Sequence, residues 1–227
     1  MNSRSYFIIP TLSLLILGSI LLAKALPDDQ LSTIISGFRA RYGNAKGWRA
    51  KYTREAISKA MVMLETAERH DFAEGSLFFK PPHFLRLEQD LPQEELLLTD
   101  GQTLWWYLPL KKQAYKYSTQ NFGKELRLLS DVFKGLKDME ESFLITLKAG
   151  PETTSYHLIL RPEPPWQEID HLELIMLKRD FSIKRIDIYN NIGGLTRFLF
   201  SRWEEKDLFK KGFFSFSPPL DVKVIEK

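Results

Sequence analysis

The sequence predicts a mainly β protein: one strongly curved antiparallel sheet with two helices laid across its concave mouth. Strand-like runs recur about every 10 to 15 residues, joined by hairpin-type turns. Only two helical patterns interrupt some ten strands, too few to cover a sheet as in a doubly wound fold, and a long antiparallel sheet must curl, close or be capped. The strands between Gly75 and Tyr117 are apolar on both faces, whereas a half-exposed strand alternates apolar with polar. Leu96-Leu97-Leu98 and Leu104-Trp105-Trp106-Tyr107-Leu108 do not alternate, so both sides of that sheet need apolar company. A helix is expected on one side and core or an apolar ligand on the other, which points to binding rather than catalysis.

Along the chain, Asp28 or Asp29 can cap a helix in which Leu31, Ile34, Ile35, Phe38 and Tyr42 form one stripe, with Gly43 and Gly47 ending it. A strand is expected from about Trp48 to Ile57, with Trp48, Ala50, Tyr52 and Arg54 on alternate positions. Residues 58–72 read equally as more strand or a short helical excursion. The block from Gly75 to Tyr117 reads as three or four strands, punctuated by Pro81-Pro82, Pro92 and an Asp100-Gly101 turn. A second helix is expected from about Lys124 to Lys134, with Leu126, Leu129 and Phe133 on one face and Gly135 as its breaker. From Ser142 the period returns to two, with turns at Gly150-Pro151, Pro162 to Pro165, Arg179-Asp180 and Gly193-Gly194, the last suited to a tight hairpin. The chain closes on GFFSFSPPLDVKVIE, a short strand, a Pro-Pro break and an extended piece.

Composition narrows the function. Lys and Arg total 32 against 29 acidic residues, a net charge of +3; without residues 1–25, which hold Arg4 and Lys24 and no acid, the balance is 30 against 29, or +1. So neutral a chain has no electrostatic case for nucleic acid, nor a demand for a membrane-surface patch. Cysteine is absent, which excludes disulfides, thiolate metal sites, a cysteine nucleophile and a lipidated N-terminal cysteine. His70, His83, His157 and His171 stand singly, and no nucleophile elbow, phosphate loop or dinucleotide fingerprint occurs. The carboxylate clusters Asp138-Glu140-Glu141 and Glu204-Glu205 read as solvated charge. No catalytic residue, metal or cofactor is expected.

The N-terminus reads as an export signal. Arg4 precedes an apolar run from Tyr6 to Leu22, followed by Ala23-Lys24-Ala25, a basic start, apolar core and A-x-A site. Cleavage after Ala25 would leave residues 26–227 as a single domain. The alternative is a retained inner-membrane anchor, although the run is about 17 residues, the lower limit for spanning, and contains Pro10.

The run GSLFFKPPHFLRLEQDLPQEELLLTDGQTLWWYLP, the later LLSDVFKGLKDMEESFLI and the ending FFSFSPPLDVKVIE together resemble the periplasmic outer-membrane lipoprotein carrier family, LolA, in order and spacing over nearly the whole chain after residue 25. The resemblance implies an unclosed half-barrel with a helical lid over an apolar cavity. That cavity would take the acyl chains of lipoproteins released from the inner membrane by an ABC transporter and pass them to an outer-membrane receptor. It implies a periplasmic monomer with acylated lipoproteins as partners, and no enzyme activity. Cavity-wall candidates are Phe79, Leu85, Leu87, Leu98, Trp105 and Tyr107. Lid candidates are Leu31, Ile34, Ile35 and Phe38 on the first helix and Leu126, Leu129 and Phe133 on the second; plain core packing is the competing role for each.

One position departs from the family. Where it usually has basic-Arg-Pro, with the arginine holding the closed lid, this chain reads Lys80-Pro81-Pro82, and Pro81 has neither guanidinium nor backbone donor. Arg86 matches a second arginine that many members carry. A looser or differently latched lid is therefore expected. The alternatives are a related half-barrel that carries or senses another envelope lipid, an envelope-lipid enzyme, and a scaffolding module whose cavity its own side chains fill. A sensor is expected to carry a second C-terminal domain and the related receptor an N-terminal lipidated cysteine; neither is expected of 227 residues without cysteine.

Overall fold

The computed structural model describes residues 27–43, 45–58, 71–118, 139–148 and 154–227. Helix α1 (Pro27–Gly43) opens the described chain. Strands β1 (Trp48–Ile57), β2 (Phe72–Lys80), β3 (Phe84–Leu91), β4 (Glu95–Thr99), β5 (Thr103–Leu108) and β6 (Gln113–Ser118) follow. A one-turn helix α2 (Met139–Ser142) leads into β7 (Phe143–Leu147), β8 (Ser155–Pro162), β9 (Ile169–Leu177), β10 (Ile183–Asn190) and β11 (Leu195–Glu205), and the short β12 (Lys223–Glu226) ends the chain. The second helix expected over 124–134, the signal segment and the ambiguous stretch from 59 to 70 lie outside the described residues.

Among the described residues all twelve strands share one sheet, in the order β12-β6-β5-β4-β3-β2-β1-β11-β10-β9-β8-β7. It consists of two meanders, β1 to β6 and β7 to β11, seamed where β1 pairs with β11. Its edges, β12 and β7, do not pair with each other, so the sheet is open. It is also mixed rather than wholly antiparallel, a correction to the sequence expectation: β12 runs parallel to β6. The reason is the route of the chain. Residues 206–222 leave β11 at one rim of the sheet, cross the β1–β6 half diagonally and reach β6 at the opposite rim, where β6 itself begins.

The stripe expected on α1 is the face it buries. Ile34, Ile35, Phe38 and Tyr42 are buried and Leu31 partly so, all packed in one core cluster. Pro27 sits in the first turn, where a missing backbone donor does no harm, and the helix stops at Gly43. Each large apolar side chain so buried contributes about 1.5–3 kcal/mol, which is what holds a helix of this modest amphipathicity on the sheet.

Candidate functional site

Strand register divides the sheet into two faces. On the face that carries α1, Trp48 lies opposite Phe79, Ala50 opposite Leu77, Leu77 opposite Leu87, Phe79 opposite Leu85, and Phe198 opposite Ile186. Continuing across β3 to β6, the same face presents Leu97 (opposite Leu87), then Trp106, then Tyr115, with Leu104 paired to Tyr117 alongside. The centre of this helix face is core: Phe79, Leu77, Leu85, Leu158 and Leu174 are buried with the α1 stripe. Its β4–β6 flank is half-buried. There Trp106 and Tyr115 lie 5.4 Å apart and Tyr115 stacks on Tyr117 at 6.5 Å. The Trp106 indole donates to Glu95 at 2.9 Å and the Tyr115 hydroxyl to Gln113 at 3.1 Å, so the aromatic shelf is apolar in its rings and polar only at its margin.

The outer face explains why these strands are apolar on both sides. Residues 206–222 lie across it, and their aromatics meet successive strands in order. Phe209 and Phe213 pack on Phe78 of β2, Phe214 on Phe84 of β3, and Phe216 on Trp105 and Tyr107 of β5 at 5.3 and 5.1 Å. The C-terminal Phe-Phe-Ser-Phe is thus the second apolar layer that non-alternating strands require.

The six expected cavity-wall residues therefore do not share a face. Phe79, Leu85 and Leu87 lie on the helix face, all buried. Leu98 pairs with Trp105 on the outer face, and Tyr107 lies beside Trp105 under Phe216. Odd-numbered positions stay on the helix face across the β3–β4 connection, and the helix face passes to even positions only across β4–β5, where four residues separate Thr99 from its partner Leu104. Gln89 pairs with Glu95 across five residues, and that odd number puts Leu97 rather than Leu98 opposite Leu87. Leu97, Trp106, Tyr115 and Tyr117 are the helix-face residues that sequence reasoning missed. Of the lid candidates, Leu31, Ile34, Ile35 and Phe38 are on the buried side of α1, whereas Leu126, Leu129 and Phe133 lie outside the described residues.

Polar contacts from several elements hold α1. The Ile183 backbone N–H donates to the Tyr42 hydroxyl at 3.0 Å, and burial pushes that phenol up to about 12. Arg41 donates to the Asp180 carbonyl at 3.0 Å, pairs with its carboxylate at 3.6 Å and lies 4.6 Å from the Trp48 ring centre. Burial raises the Asp180 carboxyl, but hydrogen bonds from Ser182 and the charges of Arg41 and Arg179 outweigh it and hold the carboxyl below its usual value. Arg39 pairs with Glu140 of α2. Gly37 lets the helix approach closely: a Cβ there would lie 2.3 Å from Cζ of Phe181. Pro81 occupies the β2–β3 turn, and Arg86 faces the opposite side of the sheet from α1, where it meets the C-terminal segment.

On the outer face of β8–β11 the chemistry is ionic. Asp187, fully buried, takes two bonds from Arg197 at 2.8 and 2.9 Å and lies 3.2 Å from Arg185. Glu173 meets Lys148 at 3.1 Å and His157 at 3.0 Å; burial raises its carboxyl, yet these partners pull it below the ordinary value. Arg197 and His157 reach these carboxylates from adjacent strands, Arg185 from two residues along β10 and Lys148 from the end of β7, so both buried carboxylates are satisfied. Among the described residues no three His, Asp or Glu side chains group as a metal site.

Residues 62–217, more than half of the chain, match the family model described as outer membrane lipoprotein carrier protein LolA. The chain is 23% identical to an outer-membrane lipoprotein carrier protein of Nitrosospira multiformis, over 86% of this chain and 90% of that protein. It is 24% identical to one of Coxiella burnetii, over 93% and 92% respectively. Among solved structures, an uncharacterized conserved protein from Thermus thermophilus superposes with a TM-score of 0.55 at 14% identity, covering 87% of this chain and 99% of that one; this shows a shared fold.

Proposed function

The chain belongs to the outer membrane lipoprotein carrier family, LolA, and on that premise we propose that it is a periplasmic carrier of acylated lipoproteins. In this reading residues 1–25 are an export signal removed after Ala25, and residues 26–227 form one carrier domain. The domain accepts the acyl chains of lipoproteins released from the inner membrane by an ABC transporter and gives them up to a receptor at the outer membrane. It works as a monomer and catalyses no reaction.

The observation that carries the proposal is the helix face itself. A buried apolar centre under α1 continues without a polar break into the half-buried shelf of Leu97, Trp106, Tyr115 and Tyr117. An acyl chain needs apolar area more than directed hydrogen bonds. About a dozen methylenes hidden from water contribute on the order of 10 kcal/mol. Cargo would enter from the shelf and displace α1 from Phe79, Leu85 and Leu87, the sheet curving around it. Because α1 is held by a few polar bonds over an apolar face, opening exchanges one apolar contact for another, which suits a carrier that must also release.

The test is release. The full chain, expressed with its own N-terminus and recovered from the periplasm, is incubated with spheroplasts displaying a newly acylated lipoprotein and its release machinery. The proposal expects the lipoprotein to leave the membrane in a soluble one-to-one complex. A folded protein that leaves it in the membrane fraction would rule out the carrier role.

A further inference from the structure

Two turns at one corner of the sheet push leucines into solvent with nothing over them. Leu110, 73% exposed, sits in a 3-10 turn, Pro109–Lys111, between β5 and β6. Leu220, fully exposed, sits in the turn that precedes β12, where the Val222 N–H donates to the Pro219 carbonyl. The turns are tied together. Lys112 Nζ meets Asp221 at 2.9 Å, and the Lys223 N–H donates to the Lys112 carbonyl at 2.9 Å. The two leucine-bearing turns are thus held to each other by the fold, and neither leucine is carried on a loose end. Among the described residues, Lys111, Lys112 and Lys223, all exposed, stand in or beside these turns together with Asp221.

The same rim carries further apolar tips. Strands β3, β5 and β10 all end there, so exposed Leu91 and Ile192, the latter 81% exposed, lie at the same rim, at the β3–β4 and β10–β11 connections. Asp90 and Glu94 flank Leu91, which leaves the β5–β6 and β12 corner as the basic part of the rim.

We propose that this corner, Leu110 and Leu220 with Lys111, Lys112 and Lys223, is a docking tip for an anionic bilayer surface. The shape argues for lipid over protein. A stable protein interface needs about 800 Å² from each partner, which two leucines on two short turns cannot supply, whereas a bilayer surrounds whatever projects into it. The charge agrees, since lysines beside inserted apolar side chains meet anionic headgroups. The inference is independent of the lipoprotein cargo: it assigns the end of the molecule that meets a membrane, not what the helix face holds.

The natural chain has no cysteine, so single-cysteine variants of the full chain report position directly. Leu110→Cys, Leu220→Cys and, at the opposite rim, Leu208→Cys each carry an environment-sensitive NBD label and are mixed with phosphatidylglycerol vesicles or phosphatidylcholine vesicles. The N-terminal apolar run is common to all three, so it cannot create a difference between labels. The expected result is a rise and blue shift of emission at positions 110 and 220 on phosphatidylglycerol, none at 208, and a far smaller response on phosphatidylcholine. Lys111→Gln and Lys223→Gln should each weaken vesicle binding by about fivefold. An equal response at 208, no response at 110 and 220, or equal responses on both lipids would overturn the proposal.

Discussion

The guanidinium of Arg86 donates to the Phe213 carbonyl at 2.8 Å and lies 4.7 Å from the centre of the same residue's ring, with Glu88 completing the clasp at 2.7 Å. Arg86 therefore fastens the C-terminal segment to the outer face. Arg86→Ala should cost about 1–3 kcal/mol, since it removes a charged hydrogen bond and a cation–π contact together. Hydrogen exchange should quicken over 206–222 and stay unchanged in α1. Faster exchange in α1 alone would mean that the arginine acts on the helix.

Tyr42 gives the complementary test on the helix side. Tyr42→Phe keeps the ring among Phe38, Trp48 and Trp203 but leaves the Ile183 N–H without its acceptor. A loss of about 1–3 kcal/mol in urea unfolding is expected, with α1 exchanging faster than the sheet. Stability within a few tenths of a kcal/mol of the parent would show that this bond does not anchor the helix.

Gly37→Ala sets two effects against each other. Helix propensity alone predicts a gain of about 1 kcal/mol, whereas the methyl would meet the Phe181 ring, for an overpacking cost of about 1–3 kcal/mol. The close approach predicts net destabilisation in thermal or urea unfolding. A more stable variant would mean that α1 stands further from β9–β10 than the geometry gives.

Glu173 should make stability depend on acidity. Its carboxyl is held below the ordinary value when folded, so its contribution is complete above the unfolded value of about 4.3 and is lost as pH falls through the folded one. Glu173→Gln should be less stable than the parent by about 1–2 kcal/mol at neutral pH, modest because Lys148 is half exposed. The gap should close as pH drops from about 5 to 3. A gap that stays constant over that range would remove Glu173 from the acid response.

Much of this fold is legible in the sequence because its punctuation is local. Trp48 to Ile57, the turns at Pro81-Pro82 and Asp100-Gly101, and the α1 stripe follow from period and turn chemistry. What the sequence hides is parity. In Leu96-Leu97-Leu98 and Leu104-Trp105-Trp106-Tyr107-Leu108 every position is apolar, so nothing in the residues says which half faces α1; the five-residue connection between Gln89 and Glu95 decides it. That odd number points to Leu97, and the four residues between Thr99 and Leu104 then point to Trp106. The company for the second face was equally hard to see, since Phe216 is more than a hundred residues from Trp105 in sequence and the pairing exists only after the chain has crossed the sheet. The parallel β12 follows from the same crossing.

Neighbouring tryptophans on opposite faces make the central claim directly measurable. A photo-crosslinking amino acid at position 106 or at position 105 is exposed to an acylated lipoprotein during release from spheroplasts. If the helix face carries the acyl chain, position 106 crosslinks to the lipoprotein while position 105, under Phe216, does not. Crosslinking at 105 but not at 106, or at neither with release intact, would contradict cargo binding on the helix face.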